Sequence, residues 1–161
     1  MESILYAEDE PDDVFFMERA FKEAGLELAL QTVTHGQQVI AYLSGAGDYA
    51  DRSRFPFPKL VLLDLNMPQL SGFDLLKWIR STPAVSKMPV LIFSSSNHDS
   101  DVERASLLGA DGYLVKPSRP DRLVEIVKSF KNYWLRHDSS SSAVKLARRT
   151  SGVVAFLPLF C

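Results

Sequence analysis

Three short apolar runs, residues 4–7, 60–63 and 90–93, each stop abruptly at a polar cluster, as buried parallel strands do when they lead into functional loops. Weaker runs at 28–33 and 113–115 bring the strand count to five. Between them lie segments of helical length at 11–24, 36–43, 72–80, 99–108 and 119–135. Pro11 and Pro120 stand where a first helical turn tolerates proline, and Asp99 and Ser118 are candidate caps. In the last segment Leu123, Ile126, Val127, Phe130 and Trp134 recur at three- and four-residue steps and form one apolar stripe.

A fivefold strand–helix alternation with short connections predicts an α/β fold, a doubly wound five-stranded parallel sheet of (βα)5 type with right-handed crossovers. In such sheets ligands bind outside the carboxyl ends of the strands, so the chemistry belongs at that edge. The stretch 44–58, with Tyr49, Phe55 and Phe57, is a long connection: either an ordered functional loop or a packed surface flap. The boundary of the domain falls near residue 137. Residues 138–161 contain four consecutive serines, a basic stretch and an apolar end, and read as a flexible tail, whose apolar end could dock on the domain or a partner, or as a cloning remnant.

Size and charge narrow the function. A chain of 161 residues suits one domain. With 18 basic and 20 acidic residues it has no footprint for nucleic acid or an anionic membrane. The single cysteine, Cys161, excludes an intrachain disulfide, and no apolar run spans a bilayer, so a cytoplasmic protein is expected. The three histidines are scattered without ligand spacing and read as surface residues.

The strand tips carry the candidate chemistry. Glu8, Asp9, Glu10, Asp12 and Asp13 place five carboxylates within residues 8–13, a crowding that a divalent cation with a taste for hard oxygen ligands relieves. Asp12 and Asp13 read as acids at the positive end of a helix, a reading that fits Glu8 and Asp9, directly after a strand, less well. Asp64 ends the third strand. In a doubly wound sheet the first and third strands are neighbours, so Glu8, Asp9 and Asp64 converge. A carboxylate there is a potential nucleophile towards phosphorus. Ser94, Ser95, Ser96 and Asn97 bring hydroxyls or helix caps to the same edge, and Lys116 brings a compact cation, with the Lys116–Pro117 bond a candidate for cis geometry.

These residues together resemble the receiver domains of two-component response regulators. The likeness rests on Leu5-Tyr6-Ala7-Glu8-Asp9-Glu10-Pro11-Asp12-Asp13, on Leu62-Leu63-Asp64-Leu65-Asn66-Met67-Pro68 with Gly72, on residues 89–94, and on Gly109-Ala110-Asp111-Gly112-Tyr113-Leu114-Val115-Lys116-Pro117. It implies a flavodoxin-like fold with strand order 2-1-3-4-5. Asp64 would be the phosphoacceptor, receiving its phosphoryl group from a sensor histidine kinase. Mg²⁺ would be held by Asp9, Asp64 and the backbone carbonyl of Asn66, with Glu8 acting through water. Ser94 and Lys116 would contact the phosphoryl group, and Ser94 with Tyr113 would form the switch read by a downstream protein on the fourth helix, fifth strand and fifth helix. Such a domain catalyses only its own phosphorylation and dephosphorylation and is not an enzyme with an external product.

The acidic opening and the long 44–58 connection are similar to the single-domain regulators paired with bacterial and cyanobacterial phytochromes. The tail matches no element of the family. A dehalogenase-type phosphatase would need an aspartate where Asn66 stands, and a flavin carrier would need a phosphate-cradling loop where Glu8-Asp9-Glu10 repels phosphate. Val124 and Tyr133, off the stripe of the last helix, suggest an apolar patch for a homodimer.

Overall fold

The computed structural model describes residues 2–134 and 153–155, with side chains described through residue 130. In chain order the elements are β1 (Ser3–Ala7), α1 (Pro11–Ala24), β2 (Ala29–Val33), α2 (Gly36–Ser44), a 3₁₀ turn (Gly47–Tyr49), β3 (Leu60–Leu63), α3 (Gly72–Ser81), β4 (Val90–Ser94), α4 (Asp99–Leu107), β5 (Gly112–Val115), α5 (Pro120–Trp134) and β6 (Val153–Ala155). The five expected strands are parallel in the expected order, β2-β1-β3-β4-β5. Expected and observed bounds of these five strands and five helices agree to within one residue at every end.

Every residue of β1, β3 and β4 is buried, because helices cover both faces of the sheet. Alternate side chains serve two layers. Leu5, Ala7, Val61, Leu63, Ile92 and Tyr113 pack beneath α2, α3 and α4, while Ile4, Tyr6, Leu62 and Phe93 pack beneath α1 and α5. The stripe of α5 faces the sheet: Leu123, Ile126, Val127 and Phe130 are buried. Val124 is partly buried against the same layer. The side chains of Tyr133 and Trp134, and His137 entirely, lie outside the described residues.

Four expectations change. Within the stretch read as a flexible tail, Val153–Ala155 forms a sixth strand, antiparallel to β5. Its β-branched valines suit the pleat, and β5 would otherwise present an unpaired edge. The remainder of 138–161 lies outside the described residues. Second, no peptide bond among the described residues is cis, so Lys116–Pro117 is trans. Third, His35 is not a plain surface residue: it occupies the N-cap of α2, and its Nδ1 accepts from the Gln38 N–H at 3.3 Å. Fourth, Asp99 opens α4 as its first residue, with His98 in the cap position.

The 44–58 connection packs against the domain as a flap. Tyr42, Tyr49 and Phe55 form an aromatic cluster with ring centroids 5.1 to 6.1 Å apart. Arg52 lies over Tyr42 and Phe57 and donates to the carbonyls of Leu43 and Phe55. Ser3 Oγ donates to the Pro56 carbonyl, which ties the loop to the amino edge of the sheet, away from the strand tips that carry the acids.

Candidate functional site

Strand register builds the site. Ala7 is paired with Leu63, so β1 and β3 end level, while Leu63 is paired with Ile92 and β4 runs two residues further, to Ser94. The Asp64 N–H donates to the Ala7 carbonyl, the Glu8 N–H to the Val33 carbonyl and the Lys116 N–H to the Ser94 carbonyl, which extends the ladder one residue past each strand. The side chains of Glu8, Asp64 and Lys116 therefore meet at one edge by backbone geometry alone.

The turn after β3 depends on close approach. A Cβ at Gly72 would stand 2.4 Å from the Asp64 carbonyl oxygen and 3.0 Å from Leu65 Cα, so only glycine lets α3 start against the loop that carries Asp64. The Gly72 N–H donates to the Leu65 carbonyl at 3.1 Å. A reciprocal capping box of Ser71 and Asp74 fixes the start of α3. Gln69 takes a left-handed conformation, φ 71°, in the same loop.

Lys116 is the hub. Its Nζ donates to Glu8 Oε2, to Asp13 Oδ2 at 2.9 Å and to Asp64 Oδ2 at 3.0 Å. Glu8 is fully buried and Asp64 nearly so. Asp64 Oδ1 accepts from the Asn66 N–H at 3.1 Å, while the Asn66 side chain is exposed. Asp9 is half-buried beside them, and one carboxylate oxygen from each of Glu8, Asp9 and Asp64 lies within 4.8 Å of the others.

One ammonium thus faces four carboxylates. Burial, eased by the Lys116 hydrogen bond and reinforced by the charge of Asp64, pushes the Glu8 carboxyl up to about 7. Burial works against the Lys116 ammonium, but its bonds to Glu8 and Asp13 and the charge of Asp64 outweigh that and hold it above its ordinary value. The residual negative charge and the all-oxygen donor set fit a small hard divalent cation such as Mg²⁺.

On the β4 side, Ser94 is fully buried and its Oγ accepts from the Ser96 N–H at 3.2 Å. Ser96 Oγ donates to Asp101 Oδ2 at 2.6 Å, so Ser96 ties the loop to the first turn of α4, while Ser95 is exposed. Tyr113 is fully buried, and its hydroxyl donates to the Ser96 carbonyl at 2.9 Å.

The structure brings Glu8, Asp9, Asp64 and Lys116 together, with Ser94 on the adjoining strand tip. It adds two residues. Asp13, explained above as a helix-start charge, sits half-buried with Lys116 on its carboxylate; the proline at the start of α1 and the one-turn offset from Asp9 were the available signal. Tyr6 donates from its hydroxyl to Glu8 Oε2 at 3.1 Å, and its signal was the two-residue period of a strand.

Residues 4–128 match the family described as the response regulator receiver domain. Among curated relatives, Response regulator Rcp1 of Synechocystis sp. is 29% identical over 132 residues, covering 82% of this chain and 88% of its own. Response regulator RPA3017, described in red light signaling of R. palustris, superposes with a TM-score of 0.81 at 31% identity, over 89% of this chain and 100% of its own. The phosphorylated cyanobacterial phytochrome response regulator RcpA superposes with a TM-score of 0.76 at 30% identity, over 86% and 96%.

Proposed function

Because the chain belongs to the response regulator receiver domain family, a family phosphorylated on aspartate within two-component systems, we propose that Asp64 is its phosphoacceptor and a sensor histidine kinase its donor. The observation that carries the reading is the buried Asp64 carboxylate, 3.0 Å from the Lys116 ammonium at the edge where Glu8 and Asp9 converge. An Asp64 oxygen forms the new bond to phosphorus as the bond from phosphorus to the donor histidine nitrogen breaks. The Asn66 N–H on Oδ1 orients the carboxylate for that approach.

Lys116 neutralises charge on the transferred group by exchanging a carboxylate partner for a phosphoryl oxygen. Asp9, Asp64 and the Asn66 carbonyl would hold Mg²⁺, with Glu8 supporting it through water. The cation supplies charge neutralisation at the phosphoryl oxygens. The match to phosphorylated RcpA supports the phosphorylation reading, and the described neighbours RPA3017 and RcpA support a phytochrome-type sensor as the kinase.

Signalling follows from the Ser94 and Tyr113 pair. A phosphoryl group on Asp64 recruits the Ser94 hydroxyl, and Tyr113, bonded to the loop after β4, follows it and reshapes the face of α4, β5 and α5 for a downstream protein. The chain then acts in the cytoplasm by changing partners, without binding nucleic acid or membrane. No helix among the described residues is long and apolar enough to cross a membrane.

The test is intact mass after incubation with acetyl phosphate and Mg²⁺. Wild type should gain one phosphoryl group, and Asp64→Asn and a chelator-treated sample should gain none. An adduct of equal yield in Asp64→Asn would overturn the assignment.

A further inference from the structure

Tyr6 is the last but one residue of β1, wholly buried, on the sheet face covered by α1 and α5. Residues two apart on a strand share a face, so Tyr6 and Glu8 project the same way. The Tyr6 ring meets Phe93 edge to face at 6.0 Å, which fixes where its hydroxyl sits. That hydroxyl donates to Glu8 Oε2, while Glu8 Oε1 accepts from the Glu10 N–H at 3.1 Å. A phenol hydroxyl is a donor throughout the neutral range.

Two side chains therefore share one carboxylate oxygen, Tyr6 and Lys116. They differ in freedom. Lys116 carries its charge on a flexible stem and has Asp13 and Asp64 as other partners; the Tyr6 hydroxyl is placed by a packed ring. When Lys116 turns towards a phosphoryl group, Tyr6 is the side-chain donor that stays on Glu8.

We propose that Tyr6 is a positioning residue of this site: its hydroxyl holds the Glu8 carboxylate in the orientation that supports the divalent cation, whichever partner Lys116 has. This rests on the metal-dependent reading above and adds a supporting partner behind a metal-supporting carboxylate. Such partners typically govern affinity by a factor of about 10 to 100.

The test is a double-mutant cycle on Mg²⁺ affinity, measured by titration calorimetry on the full chain, with urea unfolding of each variant as the stability control. Tyr6→Phe keeps the ring and should weaken Mg²⁺ binding about tenfold. In a Glu8→Gln background the same change should shift it by less than about twofold, because the carboxylate the hydroxyl acts through is gone. A Tyr6→Phe variant with wild-type Mg²⁺ affinity and only a lower urea midpoint overturns the proposal, since the hydroxyl then serves the fold alone. An undiminished tenfold loss in the Glu8→Gln background also overturns it. Wild type that binds no Mg²⁺ removes the metal reading, and the positioning role with it.

Discussion

Charged side chains are gathered at both edges of this sheet, and they are balanced differently. At the amino edge Arg80 donates from Nε to the Gly109 carbonyl, from Nη1 to the carbonyls of Ser86 and Met88, and from Nη2 to Asp111 Oδ2 at 3.0 Å. Asp111 Oδ2 also accepts from the Val90 N–H at 2.8 Å. One cation meets one anion, and backbone carbonyls take three more of its donors. The cluster clamps the starts of β4 and β5. At the carboxyl edge a single ammonium is shared among Glu8, Asp13 and Asp64, with Asp9 alongside. A charge-balanced cluster stabilises without attracting a further ion; one with excess carboxylate holds negative charge that a cation can use.

Removing the cation from each edge should separate the two. Lys116→Ala leaves Glu8 and Asp64 buried without their counter-charge and should cost about 3 kcal/mol of unfolding free energy in chelator. Millimolar Mg²⁺ should return much of that loss, because a ligand that binds only the folded state stabilises it by mass action. Arg80→Ala should cost about 2 kcal/mol, less because its side chain is 22% exposed, and Mg²⁺ should not change the deficit. Urea titrations with and without Mg²⁺ check both. Equal rescue at the two edges would erase the distinction.

Gly72→Ala sharpens it by moving the acids rather than deleting a charge. The new methyl collides with the backbone of Asp64 and Leu65, so a loss of about 1 to 2 kcal/mol is expected, with weaker Mg²⁺ binding in the same sample. The gentlest effect is that of pH. Burial raises Glu8 from 4.5 to about 7, so between those values the folded chain holds a proton that the unfolded chain releases. In chelator, wild type should therefore lose stability as pH rises through that window, relative to Glu8→Gln. Saturating Mg²⁺ should flatten or reverse the slope, since the cation takes the place of the proton. Urea midpoints across the window give the reading.

The layers of the fold were legible in the sequence because buried strands and amphipathic helices leave periodic signals. The runs at 4–7, 60–63 and 90–93 and the stripe from Leu123 to Phe130 each record a surface removed from water. The acid, hydroxyl and base at the strand tips were legible for a related reason, since parallel register carries the end of one run to the end of the next. Side-chain partnerships were not. Whether Asp13 caps a dipole or meets Lys116 depends on where the chain around residue 116 passes, a contact 103 positions away. Tyr6 reads as one more apolar strand residue until its hydroxyl is seen on Glu8. The strand at Val153–Ala155 is set by the open edge of β5, which no local pattern near residue 153 reveals.

Locating the phosphoryl group tests the central assignment most directly. After incubation with acetyl phosphate and Mg²⁺, borohydride reduction converts an aspartyl phosphate to homoserine, and peptide sequencing by mass spectrometry reports its position. Homoserine at position 64 alone is the expected result. Homoserine at position 9 or 13, or a phosphoryl group carried on a histidine, would contradict it.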